Sequence, residues 1–236
     1  MPEDSRTTPG RLWPLCAVAI VCFAVLTWRV SAGGRLVSGD GRVLREFRRS
    51  AAGHGSLTSV AHVLCDLGDI QVAVPVLVAA LAAAALLGRR AGLVRWWAAP
   101  AVAAVAMLVL PVVVSAVKAG VDRPAPGRVR ADPDYGYFPS GHTATSSVGF
   151  GLAVLVLLPF VRSAAARLLL VHGTVLVAVA VGASLVWCGY HWPLDVVASW
   201  LLAVALLSAA SAVTALVGRG SGSPPDGSGH RPDGAG

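Results

Sequence analysis

Three clusters of polar residues interrupt an otherwise apolar chain, and each holds groups able to hold an anion or move a proton. The first follows an apolar run and supplies Lys118, Arg123, Arg128 and Arg130. The second is Phe138-Pro139-Ser140-Gly141-His142-Thr143, and the third is Gly189-Tyr190-His191-Trp192-Pro193-Leu194-Asp195. Ser140-Gly141-His142 falls where an apolar helix begins, so unpaired N–H groups and the positive end of the helix dipole gather there. Gly141 lets a ligand approach the backbone closely, and Ser140 can offer its hydroxyl to an anion or cap the helix. His142, within the first turn, can give a proton to a leaving oxygen. His191 and Asp195 are four residues apart. On a helix opening at Pro193 they share one face. The carboxylate then accepts from one ring nitrogen and leaves the other free as a nucleophile.

The elements that must position these groups are membrane helices. Of 236 residues, 56% are hydrophobic and 13% charged, with a mean hydropathy of +0.70. An ordinary soluble domain carries roughly 25% charged residues, so composition excludes a soluble enzyme and a disordered chain. Apolar runs cover about 12–30, 69–87, 98–117, 142–161, 168–190 and 193–217. The expected fold is all-α, a six-span bundle over 12–217, with polar, disordered termini at 1–11 and 218–236. With six spans, all three clusters fall on one side of the bilayer, and ionisable groups there point to function. The compact loops 89–95 and 162–167 are basic and carry no acid. The positive-inside rule therefore places both termini in the cytoplasm and the clusters outside the plasma membrane.

Other features read more plainly. The net charge of +7 sits in short loops, which fits anionic lipid head groups as partners and not nucleic acid. Residues 42–49 form either a basic amphipathic helix on those head groups or a solvated loop. Cys16, Cys22, Cys65 and Cys188 show no zinc spacing and read as small apolar residues. Asp66 and Asp69 precede the second run and read as helix caps. Trp96, Trp97, Trp187 and Trp192 suit interface belts, Trp192 with a second option as a pocket wall. Gly149, Gly151 and Gly182 suit close helix packing. Asp132, Asp134, Tyr135 and Tyr137 could gate a pocket.

The three clusters resemble the signatures of the type 2 phosphatidic acid phosphatase (PAP2) superfamily, which includes lipid phosphate phosphatases and vanadium haloperoxidases. The family patterns are K-x6-R-P, P-S-G-H and S-R-x5-H-x3-D. The resemblance implies a metal-free, cofactor-free membrane phosphatase acting on a lipid phosphate or polyprenyl (di)phosphate. It implies that Lys118, Ser140 and Gly141 bind phosphate and that Arg123, which has a counterpart in many relatives, helps. It implies His142 as general acid, His191 as the nucleophile that becomes a phosphohistidine, and Asp195 as its orienting partner. Two positions depart from the pattern: the first-motif arginine falls on Ala125 and the third-motif arginine on Leu185. Neither residue reproduces a bidentate guanidinium. The alternatives are a non-catalytic lipid-phosphate binder, or altered chemistry such as phosphotransfer or prenyl diphosphate conversion.

Overall fold

The computed structural model describes residues 9–127 and 136–219. Arg128, Arg130, Asp132, Asp134 and Tyr135, and most of both expected disordered termini, lie outside the described residues. Among the described residues the chain is helical throughout, with no strand. The elements are α1 (Pro9–Ala32), α2 (Arg35–Ala52), α3 (Gly55–Asp66), α4 (Ile70–Arg90), α5 (Ala98–Val121), α6 (Gly141–Leu157), α7 (Ala164–Trp187) and α8 (Pro193–Arg219). A 3-10 turn, Leu158–Phe160, extends α6. α1, α4, α5, α6 with its turn, α7 and α8 are long and apolar enough to cross a bilayer, at 20 to 26 residues each. At ~1.5 Å per residue these lengths match a hydrocarbon core of about 30 Å.

α6 is the hub. Fifty-six per cent of its apolar window is buried, against 17–33% in the other spans. It packs on α4, α5, α7 and α8, and small residues such as Ala144, Ser147, Gly149, Gly151 and Ala153 line its buried surface. Small side chains let backbones approach in lipid, where dispersion rather than water drives association. Gly149 faces Ala73 of α4, Gly151 faces Leu207 of α8, and Gly182 of α7 faces Val196 and Trp200 of α8. α1 lies along α8, with Cys16, Ala19 and Ala205 in the seam.

A Cβ on Gly182 would stand 2.5 Å from Val196 Cγ1 and 2.7 Å from Trp200 Cζ2, whereas one on Gly173 meets nothing within 4 Å. Gly182→Ala is therefore expected to cost about 1–3 kcal/mol by overpacking. Thermal unfolding in detergent checks this, with Gly173→Ala as the tolerated control.

α2 and α3 do not span. α2 is a helix over the whole segment that contains residues 42–49, and its apolar stripe meets protein. Leu44 and Phe47 pack with Val186, Val196, Trp192 and Trp200, while Arg42, Arg45, Arg48 and Arg49 stay exposed. α3 packs on α7, and Trp187 Nε1 donates to Thr58 Oγ1 at 3.0 Å. The two helices thus cover the ends of α7 and α8 from which the third polar cluster emerges.

Candidate active site

Each polar cluster is placed by a helix terminus. α7 ends with Cys188 as its last helical-region residue and Gly189 in the left-handed conformation at φ +74°. Gly189 N–H donates to Val186 O and Tyr190 N–H to Leu185 O, the paired bonds of a Schellman cap. His191 N–H also reaches Leu185 O, at 3.3 Å. α8 then opens at Pro193, whose fixed φ and missing N–H suit a first turn. Asp195 reaches back to accept the Trp192 N–H at 3.1 Å, the acidic half of a capping box. The same Oδ2 lies 3.2 Å from His191 Nδ1. The dyad is thus built from a helix start, and His191 keeps Nε2 for other work.

α6 starts beside it. Ser140 is fully buried and its Oγ accepts the Thr143 N–H at 3.3 Å. Its own N–H donates to Asp195 O at 3.2 Å, and its carbonyl accepts from Ser199 Oγ at 2.7 Å. Ser199 Oγ also lies 2.9 Å from Asp195 O. These bonds fasten the α6 start to the α8 start, so both histidines are held by one backbone junction. His142 projects from the first turn of α6 and its Nε2 sits 2.8 Å from Asp69 Oδ1. Asp69 was expected only as a cap. It does occupy the N-cap position of α4, but its side chain makes no cap bond and holds His142 instead.

Two chambers that share Asp69, Tyr137, His142 and His191 as lining flank the histidines. One, of about 570 Å3, is lined by Asp66, Asp69, Ala125, Tyr137, His142, Leu185, Tyr190 and His191, among others. The other, of about 420 Å3, is lined by Ser115, Lys118, Tyr137, Gly141, His142, Thr145 and His191, among others. The Tyr137 ring stands 5.8 Å from the His191 ring, between the chambers. Lys118 and Gly141 therefore face one chamber. Ala125 and Leu185, the two positions of the absent arginines, face the other together. Among the described residues no group of three or more His, Cys, Asp or Glu could hold a metal ion.

Two expected phosphate contacts take other positions. Ser140 lines neither chamber, because its hydroxyl is enclosed as the α6 cap. Arg123 also lies off both chambers, 6% exposed. Asp122, left-handed at φ +45°, ends α5 and turns the chain inward. Arg123 Nη1 then reaches Asp195 Oδ1 at 2.6 Å and Nη2 reaches Asp40 Oδ2 at 2.5 Å. The Trp192 ring covers the guanidinium at 5.0 Å, and Trp192 Nε1 donates to Pro124 O at 2.9 Å. Buried carboxylates draw in a cation because leaving either charge unpaired is expensive.

Sequence reasoning missed Asp40 and Arg48. Asp40 Oδ1 accepts the Leu194 N–H at 2.9 Å, so α2 pins the α8 start as well as Arg123. Burial pushes the Asp40 carboxyl above its usual range, and Arg123 pulls it part of the way back. Its signal was faint: an acid between two glycines in a basic stretch. Arg48 crosses from α2 to both motif loops. Its Nη1 lies 3.2 Å from where a Gly127 Cβ would stand, and its Cδ 3.4 Å from that of Gly189. Nothing in the spacing of the motifs marks it.

If His142 protonates a leaving oxygen, Asp69 acts on that step through the bond that holds the ring. Asp69→Asn is expected to lower turnover of alkyl phosphates, whose poor leaving group needs a proton, by about 10²-fold. Loss with p-nitrophenyl phosphate, which leaves unaided, is expected to be far smaller, and paired kcat measurements on the two substrates check this.

The comparisons agree with this architecture. The family model described as the PAP2 superfamily matches residues 96–218. The crystal structure of a transmembrane PAP2-type phosphatidylglycerolphosphate phosphatase from Bacillus subtilis superposes with a TM-score of 0.69 at 18% identity. The match covers 83% of this chain and 93% of that one. A search of curated proteins found no match. With more than half its length inside the family model and a six-span helical bundle around the three motifs, this chain belongs to the PAP2 superfamily.

Proposed function

We propose that the protein hydrolyses a lipid phosphate or polyprenyl (di)phosphate at the outer face of the plasma membrane, through a phosphohistidine on His191. The observation that carries this reading is the His191–Asp195 dyad opening on the same two chambers as His142. A pure binding site has no use for a nucleophile oriented by a buried carboxylate.

With Nδ1 on Asp195, His191 Nε2 attacks phosphorus as the bond to the leaving oxygen breaks, and His142 gives that oxygen a proton. Water then attacks the phosphohistidine, His142 takes a proton from it, and inorganic phosphate leaves. Asp195 stabilises the charge that grows on the His191 ring in the first step. Lys118 and the α6 N-terminus face the developing phosphoryl charge from one chamber. Arg48, against Gly127 and Gly189, adds positive charge beside the loops that follow Ala125 and Leu185.

A lipid substrate fits the bilayer side of the site. An apolar groove of about 660 Å3 runs from Leu67, beside the site, along Val76, Ala80, Phe150, Val154 and Leu157. It lies between α4 and α7 over α6, and suits a hydrocarbon chain.

Ala125 and Leu185 favour a second reading, a lipid-phosphate binder without turnover. Phosphate release from phosphatidic acid, phosphatidylglycerol phosphate and prenyl phosphates and diphosphates separates the two. Release that disappears in His191→Ala supports hydrolysis. Binding without release, with turnover appearing in Ala125→Arg/Leu185→Arg, supports the binder. If wild type already turns over, the double variant is expected to raise kcat/KM for phosphate monoesters by about 10²-fold or more, since one such donor is commonly worth ~10²–10³.

A further inference from the structure

The fold brings together two thiols that are 123 positions apart in sequence: Cys65 Sγ and Cys188 Sγ lie 4.0 Å from each other. They sit on the two elements that wall the larger chamber, Cys65 in the last turn of α3 and Cys188 at the α7 C-cap. Cys188 is followed directly by the Schellman glycine, Tyr190 and the nucleophile His191. The same two elements are already joined by Trp187 to Thr58 and by Tyr190 to His62. A cross-link here would therefore follow an existing seam between the two elements.

The geometry points to a disulfide-forming site at Cys65 and Cys188, which tethers the His191 loop to α3. The bond needs an oxidising compartment, so the inference rests on the outward placement of this face proposed above. The co-reactant is the disulfide of an exported thiol–disulfide oxidoreductase. Cys188, the less buried thiol, loses its proton and attacks that disulfide, giving a mixed disulfide and releasing one oxidant thiol. Cys65 loses its proton and attacks Cys188 Sγ, displacing the second oxidant thiol. Two protons and two electrons leave the pair, and the oxidant departs as a dithiol. His62 Nδ1, 4.0 Å from Cys188 Sγ, is placed to take the first proton.

Burial pushes the Cys65 thiol up to about 12 and raises Cys188 as well. Thiols of high pKa make poor leaving groups, so the closed bond resists reduction. The other two cysteines stay outside this chemistry. Cys16 is buried in the α1–α8 seam and Cys22 is exposed on the same span.

The test counts thiols in the full chain isolated from membranes lysed directly into N-ethylmaleimide, so that a thiol blocked at lysis is counted with those modified later. Denaturation with N-ethylmaleimide, without reductant, is expected to modify two of the four cysteines, and all four after reduction. Digestion is expected to yield a Cys65–Cys188 cross-linked peptide, absent in Cys65→Ser, where three thiols react. Four reactive thiols without reductant overturn the bond. A separate Ser59→Cys variant, labelled on intact cells by an impermeant maleimide, reports the outward placement independently. Four free thiols with that label present reject the disulfide itself, and four without it reject the placement. Neither count depends on catalysis, so His191→Ala is expected to give the same numbers and keeps this outcome apart from that of the hydrolase reading.

Discussion

Replacing His191 with alanine is expected to remove phosphate release, by about 10⁴-fold or more, while the protein keeps its fold. The size of the effect follows from the dyad. His191 is held at Nδ1 by Asp195 and exposes its other nitrogen to both chambers. An alanine leaves no group to form the intermediate, and Lys118, His142 and the α6 N-terminus would then act on water alone. Stability should change little beyond the loss of one hydrogen bond, because Asp195 keeps Arg123 and the Trp192 N–H. Release rates on the best substrate of the panel, with thermal unfolding alongside, check both halves of this expectation.

The second large effect is expected at Arg123, and it is structural. Its guanidinium bridges Asp40 and Asp195, all three nearly fully buried. Removing one partner of a buried ion pair is destabilising by about 3–5 kcal/mol, because charge is left unpaired. Here two carboxylates lose their cation. Arg123→Ala is therefore expected to unfold at markedly lower temperature, and Asp40→Asn to lie between it and wild type. A residue that only bound phosphate would behave otherwise. Its loss would raise KM or lower kcat at unchanged stability. Comparing unfolding temperature with activity for the two variants, Arg123→Ala and Asp40→Asn, separates the two roles.

The bundle was legible because its signals are additive over many residues. Six apolar runs of the right length survive any error in a single position, and the spans of the structure differ from them mainly at their ends. α1 starts at Pro9 and α8 continues to Arg219, because a helix entering the head groups tolerates polar residues beyond its apolar run. The roles proposed for His142, His191 and Asp195 rested on helix-start chemistry, which is local. The structure brings His142, His191 and Lys118 around adjoining chambers, with Asp195 buried behind His191.

What the sequence did not show is long-range pairing. Asp40 meets Arg123 across 83 positions, and Cys65 meets Cys188 across 123. Neither pairing has a period or a motif. Ser140 shows a different limit: its hydroxyl suits an anion or a cap equally well by type. Only the enclosure by α8, with Ser199 on its carbonyl, decides in favour of the cap. α2 shows a third. Its amphipathic pattern states that one face is apolar, and only packing shows that α7 and α8 meet that face.

The central claim is that phosphate passes through His191. Its most direct test is to mix the purified protein with a lipid phosphate labelled at phosphorus, quench in alkali within one turnover, and map the labelled peptide. The account predicts an acid-labile, alkali-stable phosphate on His191, formed in wild type and absent in His191→Ala. Label on another residue, or phosphate release by His191→Ala at the wild-type rate, would contradict it.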